Sequence, residues 1–236
     1  MTTTPIRNTS KKREKSVHFY ILLDRSGSMD SMRSDVVGGF NAFLTEQQAQ
    51  PGRAKITLVQ FDTQDPQEVL LDAVSLAHVR PLTEAAFQPR GGTPLLDATS
   101  ELVTRVLGRQ ATRRALSKRE EEVVFITITD GEENSSRVAS LENVRALVDS
   151  GKESGWTFVF LGAGLDAYAD AQRLGYDSDS VQAWKPSGKS ARTMMNSVSR
   201  AATQLRHDVD NNMVFNKAAY FRGIKEAEAE SEETEK

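Results

Sequence analysis

Three short polar segments hold the residues whose types and spacing could carry chemistry. They are Asp24-Arg25-Ser26-Gly27-Ser28, Gly91-Gly92-Thr93-Pro94 and the pair Asp130-Gly131. Together they offer two carboxylates and three hydroxyls as possible ligands, from Asp24, Asp130, Ser26, Ser28 and Thr93. Hard cations prefer such an all-oxygen set, Mg²⁺ first and Mn²⁺ or Ca²⁺ next. The three segments therefore predict a divalent metal site, provided that the fold brings them together.

Each segment taken alone has an ordinary structural interpretation. The first is typical of a turn or helix cap, and the third of a turn. The second is typical of a loop that enters a helix, with Thr93 as N-cap and Pro94 as the first helical residue. What favours a metal site is their joint placement, because a doubly wound sheet would bring the end of its first strand, the end of its central strand and the intervening helix start together. An aspartate at the end of a buried strand is also costly unless it is paired or bound to a cation.

The segments that must position these residues alternate between strand-like and helix-like patterns. Apolar runs predict strands over 17–23, 55–61, 123–129 and 156–161, with weaker strands over 68–76 and 180–184. Helical spacing of apolar residues predicts helices over 35–48, 94–107, 138–148, 165–174 and 190–205. This alternation predicts an α/β fold, a parallel sheet with helices on both faces. Ligands of such sheets bind beyond the carboxyl ends of the strands, where Asp24 and Asp130 lie.

Composition limits the class of protein. A chain of 236 residues fits one α/β domain with short ends: a basic flexible tail over 1–16, the domain over 17–223 and an acidic flexible tail over 224–236. Cysteine is absent, which excludes disulfides and cysteine-ligated metals. The net charge of −3 argues against a nucleic-acid partner. No apolar run approaches the ~20 residues of a membrane span, so we expect no membrane insertion and a cytoplasmic location.

As a set, the three segments resemble the metal-ion-dependent adhesion site of the von Willebrand factor A domain, with a match over about 17–209. None of the five candidate ligands departs from the family pattern. The resemblance implies a Rossmann-like, doubly wound, mostly parallel six-stranded sheet, with one short antiparallel edge strand at 68–76. It also implies that the two serines, and often the threonine, bind the ion directly, while the aspartates often act through water.

This resemblance implies a metal-dependent protein-interaction module rather than an enzyme. The bound ion would capture an Asp or Glu carboxylate of a partner protein, a contact that gains strength and specificity in a partly dry site. Relatives inside cells commonly act as adaptors in complexes with ATPases or in stress responses. We expect Arg25 and Met29 to line the rim that touches the partner, and Glu132 and Glu133 to face solvent.

Two other functions remain as alternatives. A magnesium-dependent phosphohydrolase of the haloacid dehalogenase type also has an aspartate after its first strand. It needs a second aspartate two residues later as general acid, and Ser26 stands there instead. The histidines are expected to be structural or exposed rather than catalytic, namely His18, His78 and His207.

Nucleotide binding is the second alternative. Residues 183–190 end in Gly-Lys-Ser and resemble a P-loop. However, Ala183 replaces the first glycine, and Pro186 removes a backbone donor from the phosphate cradle. A turn before the last helix is the favoured interpretation.

Overall fold

The computed structural model describes most of the chain and places every predicted strand. It covers residues 15–119, 121–163, 166–184 and 188–211, together with 213, 217, 221–222 and 225; for 188–193 it describes the backbone alone. The expected tails, over 1–16 and 224–236, fall almost wholly outside the described residues, so the domain limits stay a prediction.

Six strands form one sheet, and its topology is that of a doubly wound α/β fold. The strands are β1 (Ser16–Asp24), β2 (Ala54–Phe61), β3 (Glu68–Ser75), β4 (Glu121–Thr129), β5 (Thr157–Ala163) and β6 (Val181–Trp184). Their order across the sheet is β3-β2-β1-β4-β5-β6. Every neighbouring pair is parallel except β2 and β3, which confirms the predicted antiparallel edge strand.

Helices cover both faces because the central strands are apolar on both sides. The helices are α1 (Arg33–Ala49), α2 (Leu95–Ala115), α3 (Leu141–Glu153), α4 (Ala167–Arg173) and α5 (Gly188–Asp210). Along β1, Phe19 and Ile21 face the core under α1 and α5, while Leu22 faces the core under α2, α3 and α4. None of the described helices combines the length and the apolar character needed to cross a membrane.

Three helices differ from their predicted limits: α5, predicted over 190–205, extends from Gly188 to Asp210, and two others differ for local reasons. The helix predicted over 94–107 continues to Ala115, through polar residues that lack apolar spacing but include good helix formers. The helix predicted from residue 138 begins at Leu141, because the hydroxyl of Ser140 accepts a hydrogen bond from the Asn143 N–H and caps it. Val138 precedes this cap and is 90% exposed.

The edge strand β3 is not regular. Its pairing with β2 shifts register on both sides of Leu58. Ala73 has a φ of 52°, a left-handed conformation that is strained for alanine. The N–H of Ala73 donates to the side-chain oxygen of Thr57, at 3.0 Å, and so does not follow a regular ladder. The strand therefore has a bulge in its middle.

A buried ionic network lies where β1 and β4 begin. The carboxylate of Glu121 is fully buried and lies 3.1 Å from Lys55 Nζ, 3.3 Å from an Arg113 nitrogen and 3.6 Å from Arg109 Nε. His18 is also buried, with Nδ1 at 3.3 Å from Glu121 and Nε2 at 2.9 Å from the Thr57 hydroxyl. Burial alone would raise the pKa of Glu121, but its hydrogen bonds, first that from His18, bring the pKa well below its usual range. His18 is structural, as expected.

Candidate metal-binding site

Asp24 is the most buried of the five predicted ligands. It ends the central strand β1 and has no exposed surface. Its Oδ1 accepts a hydrogen bond from the Ser26 N–H at 2.7 Å, and its Oδ2 accepts one from the Thr129 hydroxyl at 2.6 Å. Burial nevertheless raises the pKa of Asp24 to about 6. Within the described part of the chain, no cationic side chain forms an ion pair with it, so the ionised carboxylate lacks a counter-charge.

A chain of short contacts connects the metal loop, residues 24–28, to the end of β4. The hydroxyl oxygens of Ser26 and Ser28 lie 3.0 Å apart. Ser28 donates to Asp130 Oδ1 at 2.8 Å. Asp130 is half-buried, and this burial raises its pKa. Because β1 and β4 are adjacent parallel strands, their carboxyl ends place these oxygens side by side.

Thr93 joins the same cluster from a third loop. It is 2% exposed, and its N–H donates to the side-chain oxygen of Asn134 at 2.9 Å. A Cβ at Gly131 would lie 3.2 Å from the Thr93 hydroxyl and 3.7 Å from that of Ser28, so both hydroxyls lie against the same glycine. The structure thus brings all five predicted ligands to one edge of the sheet.

Thr93 does not cap α2, contrary to the prediction from sequence. Pro94 occupies the N-cap position, and no side chain of that position forms a capping bond. Glu133 takes that role instead: its Oε2 accepts a hydrogen bond from the Leu96 N–H at 2.8 Å, and its Oε1 accepts from the N–H groups of Ser135 and Ser136. A carboxylate at a helix N-terminus is also favoured by the helix dipole.

The expectation that Glu133 faces solvent is therefore wrong, while its neighbour Glu132 is exposed. Asp97 forms a second set of hydrogen bonds between the first turn of α2 and the loop after β4. Its carboxylate accepts hydrogen bonds from the N–H groups of residues 137–139, at 2.7 to 3.0 Å. These bonds fix the loop after β4 to the first turn of α2, and so fix Asp130 relative to Thr93.

The expectation that Arg25 and Met29 line a partner-contacting rim is also wrong. Arg25 is 4% exposed and Met29 is fully buried. The guanidinium of Arg25 lies 2.6 Å from Asp62 Oδ2, and Arg90 Nε lies 2.9 Å from the same oxygen. The arginine therefore points inward, into a buried ionic contact at the end of β2.

Arg25 also fixes the metal loop through its backbone. Its N–H donates to the Phe61 carbonyl at 2.9 Å, and its carbonyl accepts from the Arg90 N–H at 2.8 Å. The next contact is from the Gly27 N–H to the Gly91 carbonyl at 3.0 Å. Gly91 has a φ of 67°, and a Cβ there would lie 2.3 Å from the Thr63 hydroxyl, so this position requires glycine.

The donor set fits a hard divalent cation. Ser26, Ser28 and Thr93 supply three hydroxyl oxygens, and Asp24 and Asp130 supply two carboxylates that would balance a charge of +2. Asp24 adds the sharper observation, since a fully buried carboxylate without a counter-charge is costly in the absence of a cation. Metal binding at these residues stays a prediction.

The segment that resembles a P-loop gives less information. Residues 185–187 and the side chains of 188–193 lie outside the described residues. The described backbone shows that β6 ends at Trp184 and that α5 begins at Gly188. The nucleotide hypothesis for this segment is therefore untested.

The fold and the oxygen cluster at its carboxyl edge define an α/β domain of the doubly wound class. The family model of the von Willebrand factor type A domain matches residues 19–208. The chain therefore belongs to the von Willebrand factor type A domain family. The family resemblance seen in the sequence is thus confirmed, and no curated protein matches the chain.

Solved structures show the same fold at low sequence identity. The pilus adhesin SpaC from Lactobacillus rhamnosus GG, in its open conformation, has a TM-score of 0.59 at 14% identity, over 81% of this chain and 30% of that one. A von Willebrand factor type A protein from Catenulispora acidiphila has a TM-score of 0.56 at 13% identity, over 80% and 43%. Proximal thread matrix protein 1 from the mussel byssus, with a zinc-occupied MIDAS motif, has a TM-score of 0.55 at 15% identity, over 80% and 46%. The chain spans less than half the length of each.

Proposed function

We propose that this chain is a metal-dependent protein-interaction module, which binds an Asp or Glu side chain of a partner through a divalent cation held by the metal loop, Thr93 and Asp130. The observation that carries the proposal is the burial of the Asp24 carboxylate without a cationic partner among the described residues. This carboxylate is fully buried and is stabilised by neutral donors alone among the described residues, beside three hydroxyls that are ready to act as ligands.

The five candidate ligands have two different roles in binding the ion. Ser26, Ser28 and Thr93 offer neutral oxygens, while Asp24 and Asp130 supply the charge that balances the ion. Thr129 and the Ser26 N–H hold both oxygens of Asp24 in place. When bound, the ion supplies a positive centre that attracts an anionic ligand. A partner carboxylate is favoured because the site is partly shielded from water, where opposite charges attract more strongly.

The proposal also includes the identity of the ion, the cellular role of the protein and its location. The oxygen-only donor set favours Mg²⁺, with Mn²⁺ or Ca²⁺ next. The zinc-occupied MIDAS of the mussel protein supports a divalent cation in this fold. We further propose, from the family resemblance, an adaptor role beside an ATPase or in a stress-response complex, and a cytoplasmic location.

Direct metal binding is the first test. Isothermal titration calorimetry with MgCl₂ should show one site in the wild type, and none in Asp24→Asn or Ser28→Ala. Asp149→Ala is the matched control, since Asp149 is exposed on α3, far from the oxygen cluster. Equal binding by Asp24→Asn and the wild type would place the ion elsewhere.

Recognition of an acidic group is the second test. Peptides selected from a random display library in Mg²⁺ should be released by EDTA, should each contain Asp or Glu, and should lose binding when that residue becomes Asn or Gln. Selected peptides that bind equally well in EDTA would contradict the mechanism. Magnesium-dependent phosphate release from p-nitrophenyl phosphate, lost in Asp24→Asn, would instead favour the phosphohydrolase.

A further inference from the structure

A cleft at the opposite edge of the sheet is strongly basic. It lies where β1, β2 and β4 begin, and β1 alone separates it from the metal loop by roughly 26 Å, at about 3.3 Å per residue. Its two adjoining cavities have volumes of 550 and 670 Å³, in the range of pockets that hold small ligands. We call this surface the basic cleft, and its cationic residues are Lys15, Arg53, Lys55, Arg113, Arg114, Lys118, Arg119 and Lys217.

The charge of the basic cleft is opposite to that of the chain. Eight cations and two carboxylates line it within the described residues, whereas the whole chain has a net charge of −3. Arg113, Lys118 and Arg119 line both cavities, which makes the positive surface continuous.

The two acids of the cleft neutralise only part of this positive charge, and Glu122 lies 3.8 Å from Lys15. Glu121 already contacts Lys55, Arg109 and Arg113, so that one carboxylate serves three permanent cations. Arg113, which lines both cavities, has a buried Nε without a hydrogen-bond partner in the described structure. The Arg113 side chain is 15% exposed, and an anion in the cleft would add a second counter-charge beside it.

The exposed cations at the mouth of the cleft also lack ion-pair partners among the described residues. Arg114, Lys118 and Arg119 are exposed and form no ion pair with any acid of the described residues. They lie at the end of α2 and in the loop after it, close to Arg113, whose guanidinium donates to the Arg119 carbonyl at 2.6 Å. Arginine forks match phosphate oxygens in a bidentate geometry.

We propose that the basic cleft binds a small ligand that carries two or more phosphate groups. A chain of linked phosphates concentrates several negative charges in a few ångströms, whereas an extended acidic peptide brings one carboxylate per ~3.3 Å at most. The cleft also has a small apolar side at the half-buried Leu107, which the organic part of a nucleotide could contact. This site is independent of the metal loop, which lies at the other end of β1.

Calorimetry on the full chain in EDTA tests the proposal with two probes, sodium tripolyphosphate and ATP. Wild type and Asp24→Asn should bind with equal affinity, and binding should weaken when NaCl rises from 50 to 200 mM, because salt screens the attraction. Arg114→Glu/Arg119→Glu should bind at least tenfold more weakly. Arg80→Glu/Arg145→Glu changes the net charge equally at exposed sites outside the cleft, and should bind like the wild type.

The two probes separate the sources of phosphate. Equal affinity for both would assign an inorganic oligophosphate, and tighter binding of ATP would assign a nucleotide whose organic part uses the apolar side. The proposal fails if neither probe binds at millimolar concentration, or if both double variants lose affinity equally. It also fails if a single-stranded DNA oligonucleotide or a peptide of residues 226–236 binds the cleft more tightly than either probe.

Discussion

Two buried carboxylates at opposite ends of the central strands have opposite surroundings. Asp24, at the carboxyl edge, is held by hydroxyl and amide donors, and burial raises its pKa to about 6. Glu121, at the amino edge, forms ion pairs with Lys55, Arg109 and Arg113, and its pKa is lowered by hydrogen bonds, first that from His18. The comparison teaches that burial alone does not identify a functional acid. The acid left without a counter-charge by its own chain is the one that is suited to bind a cation.

The largest expected effect is at the neutralised acid. Glu121→Gln should lower the free energy of unfolding by about 3–5 kcal/mol, because it leaves partly buried cations without their carboxylate. Urea denaturation at pH 7.5 measures this loss. Glu122→Gln is the matched control: its carboxylate lies 3.8 Å from an exposed lysine, Lys15, and its loss should cost less than about 1 kcal/mol. Equal losses in both variants would remove the distinction between the two acids.

Removal of the Asp24 charge should raise the free energy of unfolding, whereas removal of the Glu121 charge should lower it. Its folded pKa of about 6 lies above the ordinary 3.8, so its contribution to stability is full below pH 3.8 and is lost as the pH rises through 6. In EDTA, ionisation of Asp24 at pH 7.5 should cost about 3 kcal/mol relative to acid pH. Asp24→Asn avoids that cost but loses one hydrogen bond, and should be more stable than the wild type by about 1–2 kcal/mol.

Urea denaturation of both proteins from pH 4 to 7.5 checks this prediction. The difference in unfolding free energy between Asp24→Asn and the wild type should grow with pH and level off above 6. For Glu121 the window is reversed, since stability from a lowered pKa is lost as the pH falls below about 4.5. A wild type that is more stable than Asp24→Asn at pH 7.5 without metal would contradict the assignment of Asp24 as an uncompensated charge.

The smallest effect expected is the pH dependence of stabilisation by Mg²⁺. The ion requires the ionised form of Asp24, so its apparent affinity should fall about tenfold per pH unit below 6. Thermal unfolding at a fixed MgCl₂ concentration should therefore give a larger rise in Tm at pH 7.5 than at pH 5, a difference of about 1.4 kcal/mol per tenfold change. A rise in Tm that is independent of pH would show that Mg²⁺ acts elsewhere.

Sequence predicted the fold and the five candidate ligands because both rest on local patterns. Continuous apolar runs define the strands, and polar residues directly after them lie at the carboxyl edge. The inward direction of Arg25 was not predictable in this way, because it depends on Asp62, which follows a different strand. Glu133 was missed for the same reason, since its partner at Leu96 is 37 residues away.

The limits of α2 show the other weakness of local patterns. Apolar spacing ends near Leu107, but the helix continues to Ala115, and this polar extension places Arg113 and Arg114 in the basic cleft. The spacing of apolar residues detects only helical segments with a buried face, so it does not detect a helix end that faces solvent. The cluster of candidate ligands at the carboxyl edge could therefore be predicted from the sequence, and the basic cleft could not.

The bulge at Ala73 has a consequence for self-association. Edge strands expose unpaired N–H and C=O groups that can recruit a strand from another molecule and seed fibres. In β3, the left-handed residue turns one such N–H inward to Thr57, which interrupts the row that an incoming strand would need. This side of the sheet is thus protected against open-ended stacking of copies.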